Sequence, residues 1–104
     1  MVKQIIWSRL AHEDKKSIIG YWINRDKSAA YSKRLNDVFE NTAELVAKHP
    51  KIGKKTDIPD VRIKTVLYYA FTYKITGVKI EILTIWDSRQ DPQKLKRITK
   101  DKHI

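Results

Sequence analysis

The chain contains no cysteine and few glycines or prolines, three of each. Without cysteine there is no disulfide framework and no thiolate nucleophile or thiolate metal ligand, which suits a reducing compartment. Gly20, Gly53 and Gly77 stand far apart, so no glycine-rich phosphate loop is present. The histidines His12, His49 and His103 are equally scattered, with none of the paired spacing that cysteine-free zinc sites show. No segment has the form of a nucleophile elbow. No apolar run approaches the roughly 20 residues of a membrane span. The opening residues Met1 to Trp7 lack the basic-then-apolar profile of a signal peptide. The expectation is a cytoplasmic protein with no metal, cofactor, membrane partner or small-molecule substrate.

What the chain does have is positive charge. Twenty-two lysines and arginines face twelve acidic residues, a balance of +10 on 104 residues. A surplus of that size on one small domain favours nucleic acid, an acidic protein or an anionic surface as partner. The length allows a hydrophobic core without metal or disulfide, and no internal repeat or linker divides it.

Hydrophobic periodicity orders the rest. Val2 to Trp7 reads as a short strand, after which Ser8 offers a side-chain oxygen to cap a helix carrying Ala11, Ile18, Ile19, Trp22 and Ile23 on one side. Gly20 inside it would permit close packing. Ser28 can cap a second helix with the stripe Tyr31, Leu35, Val38, Phe39, Thr42, Leu45 and Val46. His49-Pro50 ends it, because proline lacks the amide and disfavours helical geometry in the residue before it. Val61 to Pro92 then alternates with period two and is rich in β-branched and aromatic residues. A hairpin turn is expected at Thr76-Gly77 and a bend near Val66 to Tyr68. In the last strand Val78, Ile80, Ile82, Thr84 and Trp86 share one face, yet Leu83 and Ile85 make the other face apolar as well. That pattern predicts a central strand covered above and below. The fold expected is a two-layer α+β domain, β-α-α-β-β-β, with a mainly antiparallel four-stranded sheet under an antiparallel helical hairpin.

The candidate functional residues are basic. Arg62 and Lys64 alternate on one face of the first meander strand, Arg89 follows the last strand, and Lys51, Lys54 and Lys55 occupy the loop leading to Arg62. Arginine offers bidentate contacts to phosphate and lysine a point charge. Lys51, Lys54 and Lys55 are thus candidate nucleic-acid-binding residues, and Tyr68, Tyr69 and Tyr73 could stack on bases. The plainer reading is that exposed strand faces commonly carry arginine and lysine, and that strand tyrosines commonly serve packing.

In element order and local sequence the chain resembles the RelE/ParE superfamily of type II toxin–antitoxin toxins. The resemblance covers Val2 to about Leu95. It rests on the opening strand, the helical hairpin, the Pro50-x-x-Gly53 break, Arg62, Tyr73-Lys74-Ile75, Ile80 to Ile85, and the closing Asp87-Ser88-Arg89-Gln90-Asp91-Pro92. It implies a toxin domain over residues 1–95 with a basic tail over 96–104, and an acidic antitoxin as partner. Nucleolytic members of the superfamily cleave mRNA on the ribosome, a chemistry that needs a base, a charge clamp and an acid. On that model Arg62, Lys64 and Arg89 would clamp the phosphate, with Asp87, Tyr68 or Tyr69 as acid or base. Ala70 and Leu95 depart from the nuclease pattern, where an arginine and a tyrosine stand. Other members share the fold and poison DNA gyrase. The resemblance implies a growth-arresting toxin, with a ribosome-dependent nuclease as the first expectation, a gyrase poison as the alternative, and an inactive orphan or basic binding module as a further one.

Overall fold

The structure, a computed structural model, describes residues 2–26 and 29–89. In chain order the elements are β1 (Gln4–Trp7), α1 (Arg9–Asp26), α2 (Ala29–Lys48), β2 (Lys54–Lys55), β3 (Val61–Val66), β4 (Tyr69–Thr76) and β5 (Lys79–Asp87). They form one five-stranded sheet in the order β1-β5-β4-β3-β2, with β1 parallel to β5 and every other pair antiparallel. The architecture is the expected α+β one, with one strand more than the four expected. The addition is β2, two lysines paired with Arg62 and Ile63, too short to carry any strand periodicity.

Ser8 caps α1: its Oγ accepts from the Ala11 amide at 3.0 Å and donates to the Leu83 carbonyl at 2.8 Å. The cap therefore also fastens the helix to β5. Ser28, expected to cap the second helix, lies outside the described residues, as does the tail beyond Arg89. The helices run antiparallel, because Trp22 meets Tyr31, Ser32 bonds the Ile19 carbonyl, and Lys15 pairs with Glu40. Leu35, Phe39, Thr42 and Val46 are buried along α2 as their spacing predicts. On α1 only Ala11 is fully buried, while Ile23 faces solvent, so the apolar stripe of that helix is narrower than its sequence suggests. A Cβ at Gly20 would meet nothing within 4 Å, so close packing is not why glycine stands there.

The core lies between the helices and one sheet face, where Phe39 meets Tyr69 and Trp7 meets Phe71 edge to face. Ile80, Ile82 and Ile85 belong to this same core. They do so despite an odd spacing because the β4–β5 register shifts between Thr72 and Tyr73, which pair with Thr84 and Ile82 and leave Leu83 as a bulge. A bulge re-aims every residue after it. The two-sided apolar pattern of β5 is thus a change of phase, and corrects the expectation of a strand covered on both faces. Asp14 of α1 closes the irregularity: its Oδ2 accepts from the Thr84 hydroxyl at 2.6 Å and the Ile85 amide at 3.1 Å.

Both meander turns have two residues. Gly77 takes a positive φ of 52° in the β4–β5 turn, and Leu67 takes φ 55° in the β3–β4 turn. The second is the bend expected near Val66 to Tyr68.

Candidate functional site

Of the basic residues singled out in the sequence, Arg62 and Arg89 lie toward opposite ends of the sheet, and Lys64 stands between them, opposite Phe71 of β4. Arg62 and Lys64 do share a face, since they pair with Tyr73 and Phe71 of β4. Arg62, however, is half-buried and already engaged by the loop that precedes its strand. Its guanidinium donates to the Lys51 carbonyl at 3.1 Å and the Gly53 carbonyl at 2.7 Å. Tyr73 holds the same loop from below, donating to the Pro50 carbonyl at 2.6 Å and accepting from the Gly53 amide at 3.0 Å. Burial pushes the Tyr73 phenol above its ordinary pKa, opposed by the Gly53 amide and the Arg62 charge. Only glycine fits at 53, because a Cβ there would lie 2.7 Å from the Tyr73 hydroxyl and 2.9 Å from the Ile63 carbonyl. Lys51, Lys54 and Lys55 are exposed on and beside this pinned loop.

At the other end, Arg89, Asp87, Tyr68 and Tyr69 come together. Tyr69 pairs with Asp87 across β4 and β5. The Tyr68 carbonyl accepts from both the amide and the hydroxyl of Ser88, each at 2.9 Å, which draws the β3–β4 turn against the end of β5. Arg89 then folds back. It forms a fork with Asp87, Nε to Oδ1 at 3.1 Å and a terminal nitrogen to Oδ2 at 2.9 Å, and its guanidinium lies 4.3 Å above the Tyr68 ring. The fork holds the Asp87 carboxyl below its usual pKa. Tyr69 is buried, its hydroxyl accepting from Trp22 Nε1 at 2.8 Å, and burial raises its pKa despite that bond. A cleft of about 280 Å³ opens here, lined by Ser17, Ile18, Tyr21, Tyr69, Asp87 and Arg89.

Of the three tyrosines expected to stack on bases, Tyr69 and Tyr73 are core residues and only Tyr68 presents its ring. Arg62 and Asp87 occupy rows four residues apart along β4, roughly 13 Å at strand rise. No group of residues able to hold a metal exists among the described residues, and no helix there is long and apolar enough to cross a membrane. Sequence reading missed Leu67 and Tyr21, exposed apolar side chains beside this cluster. The available signal for Leu67 was its place in a bend without any turn residue.

Comparison with known proteins agrees with this architecture. No curated protein matches the chain. Among solved structures, a chain of the chromosomal ParDE TA system from P. aeruginosa superposes with a TM-score of 0.70 at 21% identity, covering 83% of this chain and 96% of that one. The family model described as ParE toxin of type II toxin-antitoxin system, parDE, matches residues 5–92. Most of the chain, from the first strand through the Arg89 cluster, falls within that match, and the chain belongs to the ParE toxin family of type II toxin–antitoxin systems.

Proposed function

We propose that the chain arrests growth by binding and poisoning a protein target in the cytoplasm, DNA gyrase being the target the superfamily resemblance implies, and that it does not cut RNA. In this reading residues 1–95 carry the toxin and 96–104 a basic tail. The observation that carries it is the dispersal of the groups a nuclease needs. Attack of a ribose hydroxyl on a phosphate requires base, acid and charge clamp to converge within hydrogen-bond reach of one phosphate. Here Arg62 donates to backbone carbonyls at one end of β4. Arg89 is matched by Asp87 at the other end, so the pair adds little net field. Asp87, held as a carboxylate by Arg89, is a weak base, and the Tyr69 phenol is buried against Trp22.

The same end carries features suited to contact with a protein. Leu67 and Tyr68 are 55% and 56% exposed at a turn tip, and Tyr21 is 54% exposed across the cleft. A leucine held at positive φ costs about 1–2 kcal/mol, so glycine or asparagine would serve the turn better. Exposed, strained and apolar, Leu67 fits a contact role better than a folding one. Tyrosine and arginine are also the side chains that anchor protein interfaces. The test is induction in bacteria, with mapping of mRNA ends beside isolation of gyrase–DNA complexes. Trapped gyrase with intact mRNA is the expected result, and codon-phased cuts that vanish in Arg89→Ala would replace this reading with the nuclease.

A further inference from the structure

At the end of the sheet remote from Arg89 two hollows meet. One, of about 700 Å³, has Ile52 and Ile75 in its lining with Lys3, Lys48 and Lys51. The other, of about 360 Å³, shares Lys51 and Ile75 and continues to Lys55, Ile58 and Arg62. Ile52 is 45% and Ile58 62% exposed, apolar surface left open to water. Asp60 is the single carboxylate that lines either hollow. Among the described residues, neither Lys48, Lys51 nor Lys55 makes an ion pair. The loop between the hollows is held by Tyr73 and Arg62, so the trough is preformed.

We infer that this trough seats an acidic peptide segment bearing aliphatic side chains, contributed by the antitoxin. The inference deepens the reading as a toxin and rests on it. Carboxylates on the segment would meet the lysine rim while its apolar side chains cover Ile52, Ile58 and Ile75. Single-stranded nucleic acid fits less well. Its bases need a series of aromatic faces to stack on, and among the residues lining the trough His49 alone carries an aromatic ring. The trough at Ile75 lies six residues along β4 from Tyr69, roughly 20 Å from the Arg89 cluster. A segment seated in it leaves Tyr68 and Arg89 uncovered, so capture by the antitoxin and toxicity use separate residues.

The experiment expresses the toxin with and without its cognate antitoxin, taken from the reading frame adjacent to its own gene. It compares the wild type with the double variant Lys48→Glu/Ile52→Glu and with Ile58→Glu, and circular dichroism verifies the fold of each. The expected result is that both variants stay toxic alone and escape neutralisation. For the double variant, affinity for the antitoxin falls by about 100-fold or more at low salt, because like charges now face each other. Affinity within threefold of wild type for both variants overturns the inference. So does loss of toxicity in a folded variant, or a 20-nucleotide oligouridylate that competes with the antitoxin for the trough. A wild-type chain that fails to arrest growth would refute the toxin reading, while the affinity measurement would still decide the trough.

Discussion

Tyr73→Phe isolates two hydrogen bonds without disturbing packing, since the ring stays and only the hydroxyl leaves. That hydroxyl donates to the Pro50 carbonyl and accepts from the Gly53 amide. Gly53 is buried, so its amide finds no water in the variant and pays a desolvation cost of about 1–3 kcal/mol. The Pro50 carbonyl is only half-buried and loses roughly 1 kcal/mol, the net value of an ordinary hydrogen bond. The total, about 2–4 kcal/mol, is a large part of the 5–15 kcal/mol that typically stabilises a domain. In urea, with an m-value of roughly 1.5 kcal/mol/M, the midpoint should fall by about 1.3–2.7 M at unchanged m. The melting temperature should drop by roughly 10–20 °C. Arg62→Ala should cost less, and the double variant should lose less than the sum, because both side chains hold one loop. A midpoint shift below about 0.3 M for Tyr73→Phe would mean that the phenol does not anchor the loop, and the preformed trough would lose its support.

Three further outcomes follow from the same geometry. Gly53→Ala should destabilise by about 1–3 kcal/mol, because the backbone carbonyl of Ile63 stands 2.9 Å from the new Cβ; an unchanged denaturation midpoint would refute that contact. Leu67→Gly should leave stability unchanged or raise it by up to about 1 kcal/mol, relief of the left-handed strain outweighing the entropy glycine loses, while toxicity falls; a destabilised variant that remains fully toxic would contradict both halves. The folded chain raises the pKa of Tyr69 and Tyr73. It therefore binds those protons more tightly than the unfolded chain, and their contribution is whole below about pH 10 and lost as pH rises further. A stability profile flat from pH 9 to 11, or one equally steep in Tyr73→Phe, would show that these phenols are not the cause.

Much of the fold could be read from the sequence because it rests on local signals. The α2 stripe, the Ser8 cap and the Pro50 stop each need only a few neighbouring residues, and all appear in the structure. The bend at Leu67 was legible as an interruption of length, although no residue there favours a turn. What escaped depends on distant partners. The bulge at Leu83 is a matter of register against Thr72 and Tyr73, so alternation along β5 alone could not separate a phase change from a two-sided strand. β2 exists because Lys54 and Lys55 pair with β3 beside a loop tied by Arg62 and Tyr73, and none of those ties is written in its own residues. At the candidate site, the sequence placed Arg62 and Arg89 as equivalent basic groups. It could not reveal that carbonyls of residues 51 and 53 would receive one, and Asp87 the other. Asp14 went unnoticed for the same reason, being one acid among several on α1 until the bulge brings it two donors.

A supercoiling assay separates contact by the Leu67–Tyr68–Arg89 end, the mode of action proposed for this toxin, from the cutting of RNA. Purified gyrase and relaxed plasmid would be incubated with the antitoxin-free chain and with a Tyr68→Ala/Arg89→Ala variant. The wild type should block supercoiling and accumulate cleaved gyrase–DNA complexes, and the variant, equally folded, should do so at least about tenfold less well, as expected for loss of interface anchors. Undiminished supercoiling in excess wild-type chain, together with cleavage of mRNA on purified ribosomes by the same preparation, would contradict it.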